Sequence, residues 1–318
     1  MLTNSNQLTA RSFRHLEEKT DEQFALPTST VDYLNLVIDG VDLKEYKKNM
    51  KDDPNEDEDV SNSLENNFRA YNQYLKDTEA TLNVMLIYSF LKAVAKVVRK
   101  ETSSGAELKV EETPLVAMKK QVKGYDKAHI YKADSTIKLC SLKKLEVLFL
   151  ETSSHFGSEA RVKSSFDHHK CLFRCLLILK TTADEFYLAS TEAFSKLKVL
   201  FVHASDKTVC LWSLRFVEED TAYELWLEGS LDLKIRFGDK IEQLPKALNF
   251  YWMMKCYLQQ AVEAISELKS EHKETLKRYR FSSLIVENLF SFTNPSILKL
   301  NEREDKAGMG KFGPFYQK

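Results

Sequence analysis

Apolar positions recur at helical intervals over residues 64–100, where Leu64, Phe68, Tyr71, Leu75, Leu82, Met85, Leu86, Phe90, Val94 and Val97 follow one another. This spacing predicts one long amphipathic helix, with Ser63 as N-cap and the run Thr102, Ser103, Ser104, Gly105 ending it. Residues 107–111 and 115–119 then predict two short strands, and Gly124 a turn within residues 123–127. Strands are expected at 133–139 and 145–151. In the second, Val147, Leu148, Phe149 and Leu150 in succession predict burial on both faces. From 159 to about 180 the period is helical again. Val162, Phe166, His169, Phe173 and Leu176 lie on one face, and Lys163, Asp167, Lys170 and Arg174 on another, expected to be solvated. Residues 198–203 predict a further buried strand. Strands at 208–217 and 223–233 follow, with turns at Ser205, Asp206, Lys207 and at Glu218, Glu219, Asp220. Residues 239–279 predict a long helical region in which Pro245 marks the first turn or a kink.

This order predicts an α/β (α+β) protein with a mixed central sheet, flanking helices and added C-terminal helices. The strand, helix, strand crossover at 145–203 requires at least one parallel pair. Within residues 1–60, an N-terminal extension with weak helical or strand pieces ends in an acidic linker. There Asp52, Asp53, Glu56, Asp57, Glu58 and Asp59 repel one another too strongly to build a core. Residues 61–293 form the expected α/β domain and 294–318 a tail.

Charge narrows the partners. Lys and Arg number 46 against 47 Asp and Glu, so any phosphate-binding patch is local. Five cysteines without a CxxC pair exclude a zinc ribbon and argue against a disulfide framework. The first 26 residues lack the apolar core of a signal peptide, and the longest apolar runs, 84–90 and 175–179, are short of a bilayer span. An intracellular protein of the cytoplasm or nucleus, with no membrane partner, is expected. There is no Gly-rich phosphate loop, nucleophile elbow or HExxH.

The chemistry concentrates between residues 134 and 180. Asp134 opens one strand and Glu151 closes the next; in an adjacent antiparallel pair those ends lie side by side. Two convergent carboxylates suit a magnesium ion completed by water and a substrate phosphate. Lys132-Ala133-Asp134 and Glu151-Thr152-Ser153 resemble the two motifs of the PD-(D/E)XK, or restriction-endonuclease-like, superfamily, over roughly residues 60–205. More closely, residues 145–212 look like uncharacterised proteins multiplied in some filamentous fungi.

The superfamily resemblance implies a core of helix, three strands, helix and strand, a Mg²⁺-dependent deoxyribonuclease activity, and metal ligands Asp134, Glu151 and Glu65, the last matching an extra helix glutamate. Ser153 departs from the pattern, because the superfamily has its lysine there. Some members carry that lysine on the following helix, where Lys163 and Lys170 are the candidates; Lys163, nearer the helix start, ranks slightly first. His169 reads as a core histidine, His168 as better exposed, and His155 as an imidazole near the site. Two other readings stay open: a non-catalytic descendant that binds nucleic acid or protein, and a non-enzymatic α/β scaffold assembling, for instance as a homo-oligomer, through the C-terminal helices. In that last case the apolar stripe of residues 251–268 would be broader than a core needs.

Overall fold

The computed structural model describes residues 13–17, 28, 75–110, 113–121, 132–218, 222–234, 239–279 and 288–289. Its frame is a mixed sheet of β1 (Phe13–Glu17), β2 (Ala106–Lys109), β5 (Ser135–Leu139), β6 (Leu145–Thr152), β7 (Val199–Ser205), β8 (Thr208–Val217) and β9 (Ala222–Asp232). Across the sheet the order is β1-β9-β8-β7-β6-β5-β2. A separate two-stranded ladder pairs β3 (Thr113–Pro114) with β4 (Lys132–Ala133). β2 pairs antiparallel with β5, and β5 antiparallel with β6, whereas β6 and β7 are parallel. The protein is thus of the α/β class.

Helix α1 (Glu79–Glu101) precedes β2, and α2 (Val116–Gln121) lies between β3 and β4. Helix α3 (Arg161–Glu185) makes the crossover from β6 to β7, with the short α4 (Thr191–Ser195) after it. Helix α5 (Lys240–Tyr279) follows β9, with Pro245 near its start. The parallel pair explains the composition of β6, whose 8 residues are all buried. A strand central to the sheet and covered by helices has no solvent face on which polar residues could alternate.

The apolar stripe of α5 belongs to the core: Phe250, Met254, Leu258, Ala261, Ile265 and Leu268 are buried. It packs on α1, where the Phe90 and Tyr251 rings stack 4.4 Å apart. By length and composition alone α1 is apolar enough to cross a membrane, yet its Leu91, Val94, Ala95 and Val98 are buried within the fold.

Several elements differ from expectation. The long helix expected from residue 64 is described only from Glu79. Residues 75–77 form a turn, and the Thr78 hydroxyl caps the helix by accepting from the Thr81 N–H at 3.1 Å. Residues 116–121 form a helix rather than a strand. The buried Glu146 carboxylate accepts from the Val116 and Ala117 N–H groups at 2.7 and 3.1 Å, anchoring the helix start against β6. Within the N-terminal extension, Phe13–Glu17 pairs in parallel with β9. Helix α4 was not expected; Ser190 caps it, accepting from the Ala193 N–H at 3.0 Å. Ser63, Glu65, the acidic run, the turn at Gly124 and the tail 294–318 lie outside the described residues.

Residues 140–144 join β5 to β6 and end in a tight turn, closed by the Leu145 N–H donating to the Leu142 carbonyl at 3.1 Å. Both central residues, Lys143 and Lys144, have positive φ, 59° and 57°. For a residue with a Cβ that conformation costs about 1–2 kcal/mol.

Candidate active site

Asp134 sits at the bend between β4 and β5. Its N–H donates to the Leu150 carbonyl at 3.1 Å, which ties it to the last residues of β6. Its Oδ2 accepts from the Thr152 N–H at 2.7 Å and from Asn83 Nδ2 at 3.4 Å, and its carbonyl accepts from the Tyr88 hydroxyl at 3.2 Å. Asn83 opens a π-helical segment of α1, Asn83–Ile87, and also accepts from the Thr152 hydroxyl at 2.6 Å. Burial, and then the negative charge of Glu151, push the Asp134 carboxyl up to about 6, against the opposing Thr152 bond. Asp134 borders an open cleft of about 400 Å³, lined also by Asp77, Glu79, Tyr88, Ser154 and His155.

Glu151 lies one residue before Thr152 and so faces the opposite side of the sheet, toward α3. Its carboxylate is buried and doubly held: Lys170 pairs with Oε1 and Arg174 with Oε2. The other arm of the Arg174 guanidinium donates to the Lys132 carbonyl, so one fully buried side chain ties β6 to β4. Lys170 also pairs with Asp167 Oδ1 at 2.8 Å. Burial alone would raise the Glu151 carboxyl, but Arg174 and Lys170 outweigh it and hold Glu151 below its ordinary range. Burial and the charge of Glu151 raise Asp167.

Ser153 shares the face of Glu151 and is buried. Its hydroxyl lies 2.7 Å from Nε2 of His203, which the parallel register of β6 and β7 sets opposite Glu151. Burial lowers His203 to about 4, so it is neutral near pH 7. Beside it, His168 packs against the rings of Trp212 and Phe201 at 4.7 and 5.4 Å.

The expected residues therefore divide. Asp134 and Glu151 come to neighbouring positions at one end of the β5–β6 pair, and Lys170 reaches Glu151. Lys163 does not: it is exposed and pairs with Glu79 at the cleft. Glu65 lies outside the described residues. His155 lines the cleft as expected. The two neighbouring histidines exchange roles, since His168 is buried and His169 only partly so.

The stripe expected to be solvated is largely enclosed, with Asp167 and Arg174 buried, whereas Val162 of the apolar face is 76% exposed. Asn83, Asp167, Arg174 and His203 are site residues that the sequence reading passed over. The signal for two of them was present, because Asp167 and Arg174 share the helical stripe of Lys170.

Among the described residues no three His, Cys, Asp or Glu side chains are grouped so as to hold a metal ion by themselves. Magnesium commonly takes only one or two carboxylates, with waters and substrate phosphates completing its shell. Asp134 borders the acidic cleft and offers one carboxylate, whereas both Glu151 oxygens are engaged by Lys170 and Arg174 and Glu151 does not line the cleft. The residues present therefore suit a metal at Asp134 alone unless Lys170 releases Oε1. No protein-family model matches the chain, and no match is found among curated proteins or solved structures.

Proposed function

We propose that this chain is a divergent nuclease-like domain of the PD-(D/E)XK type that engages DNA at the Asp134–Glu151 site. Supporting this is the order α1, antiparallel β2, β5 and β6, then α3 and the parallel β7, which follows the helix, three strands, helix, strand core of that superfamily. The observation that carries the reading is the Lys170 ammonium on the Glu151 carboxylate. It stands in for the lysine that Ser153 replaces.

A magnesium ion held by Asp134, and by Glu151 only where Lys170 releases Oε1, would supply a positive centre that polarises a phosphodiester and acidifies an attacking water. The chain's own residues have distinct tasks. Thr152 and Asn83 fix the Asp134 carboxylate at the cleft. Arg174 fixes Glu151 from behind. Lys170, gripped by Asp167, offers a cation to the charge that develops on the phosphate oxygens.

Cleavage of a DNA duplex with Mg²⁺ or Mn²⁺ tests this. Asp134→Ala and Glu151→Ala should abolish cutting, and Lys170→Gln should slow it by about 10²-fold, the scale of one lost charge-stabilising donor. Moving the lysine back to the strand, Ser153→Lys with Lys170→Ser, should recover part of that loss. Equal residual cleavage in all variants would exclude this site.

One observation favours a second reading. Both Glu151 oxygens are already neutralised by protein cations, as expected of a non-catalytic descendant that binds DNA without cutting it. That form predicts salt-sensitive binding with no metal-dependent cleavage.

A further inference from the structure

A second charged surface lies at the other end of β6, away from the cleft. The turn that opens β6 places Lys143 and Lys144 side by side in the left-handed region. Tight turns with two positive-φ residues favour Asn-Gly, and lysine there is strained. Two adjacent ammonium groups also repel each other. Glu185 reaches Lys143 at 3.8 Å, but the backbone conformation does not account for Lys-Lys at this place, and strain of this kind is retained where the side chains have a use.

The surroundings add to the positive charge. Lys120, from the last turn of α2, lines the same shallow depression as Lys143 and Lys144, and Lys119 is exposed beside it. On the other flank, Lys269 of α5 borders a groove with Ser141 and Leu142 of the same connection.

The acids close to the turn are committed. Glu185 is shared between Lys120 and Lys143, and Glu146 is buried on the α2 N–H groups and on Lys138 at 3.2 Å. Glu101 and Glu263 line the Lys269 groove, so the excess of positive charge lies at the depression of Lys120, Lys143 and Lys144.

We infer that the β5–β6 turn is a binding surface for the phosphate backbone of duplex DNA, separate from the Asp134 cleft. Lysines are point charges without the flat fork that reads bases, so the contact is to phosphate and indifferent to sequence. Leu142 and Leu145, flanking the lysines, are buried and leave no apolar side chain of the turn to enter a bilayer. That favours nucleic acid over a membrane surface.

The inference stands apart from the cleavage reading and is tested without metal. Binding of a labelled mixed-sequence DNA duplex to the full chain is followed by fluorescence anisotropy in EDTA across a salt series. Lys143→Asn with Lys144→Gly should weaken binding about tenfold and reduce the salt slope by about 2, since each neutralised phosphate contributes roughly 0.9. The same variant should melt a few degrees higher, because the turn strain is relieved. Lys143→Gln with Lys144→Gln keeps the strained turn and should lose binding without that gain. Lys246→Gln, at an exposed lysine near the start of α5 outside this surface, should leave the slope unchanged.

No binding by the wild type, or an unchanged slope in both lysine variants, overturns the inference. So does equal or stronger lysine-dependent binding to vesicles of phosphatidylserine and phosphatidylcholine. None of these outcomes bears on whether the Asp134 site cuts DNA when Mg²⁺ is supplied.

Discussion

Asp134 and Glu151 stand at the same end of neighbouring strands, yet the protein treats their charges in opposite ways. Glu151 is sealed behind α3 with two cations on its oxygens, and its carboxyl lies below the ordinary range. Asp134 lies at an acidic cleft, held by an N–H and an amide but by no cation among the described residues, and its carboxyl is raised to about 6. One carboxylate is neutralised internally, and the other is left electrostatically incomplete. In the proposed site, Glu151 and its cations form the fixed wall, and Asp134 is the group facing whatever enters.

Breaking the wall should have the largest effect. Arg174→Met strips Glu151 of its buried guanidinium and leaves the Lys132 carbonyl short of a donor. The cost should be about 3–5 kcal/mol in urea unfolding, typical of a buried pair that loses one partner. Glu151→Met combined with Arg174→Met should recover much of this, because no uncompensated charge remains. A double variant as unstable as the single would show that the pairing is not what Arg174 supplies.

The Asp134 side should respond to pH. Its folded pKa of about 6 lies above the ordinary 3.8, so the folded chain binds this proton more tightly than the unfolded chain does. The favourable contribution is present below about 4 and is lost as pH rises through about 6. Asp134→Asn should therefore be more stable than wild type at pH 7.5, by about 3 kcal/mol at 1.36 kcal/mol per pKa unit, and no more stable at pH 4. Added Mg²⁺ should raise the melting temperature of the wild type near neutral pH but not that of the Asn variant; chelation should reverse the gain.

Ser153→Ala should cost less, about 1–2 kcal/mol, by leaving a buried ring nitrogen of His203 without its hydroxyl. Because His203 is held at about 4, below its ordinary 6.5, the folded state favours the neutral ring. Stability should therefore fall as pH drops from about 6.5 through about 4, with His203→Asn removing that part of the acid sensitivity. Lys163→Ala is expected to change least, under about 0.5 kcal/mol, since its pair with Glu79 is exposed, and cleavage should be unaltered.

How much of this could be read from the chain follows from the kind of signal each residue carries. β6 was legible because four consecutive apolar residues leave few alternatives to a strand covered on both faces. Asp134 and Glu151 were legible because strand ends are where short polar signals interrupt such runs. Lys170 was found but ranked behind Lys163, by closeness to the helix start. Both lysines share one helix face, and position along the axis decided otherwise: Lys170, two turns further on, meets Glu151, while Lys163 pairs with Glu79 at the cleft.

Arg174 was passed over because a charged residue on a helix is ordinarily solvated, and its partner is 23 residues away on a strand. Helix α2 was mistaken for a strand because its capping group, Glu146, comes from a different element 30 residues further on. Local pattern carries no trace of such a cap.

The π-helical segment at Asn83 has a consequence for the cleft. A helix that closes from Tyr88 N–H to the Asn83 carbonyl, five residues back, carries one residue more than its hydrogen-bond ladder needs, the mark of a single-residue insertion. Shortening it by one residue would restore a regular ladder and a more comfortable helix. It would also swing Asn83 by about 100°, one residue's share of a 3.6-residue turn, away from Asp134 and Thr152. A variant with one residue deleted from this segment is expected to lose that clasp on the carboxylate.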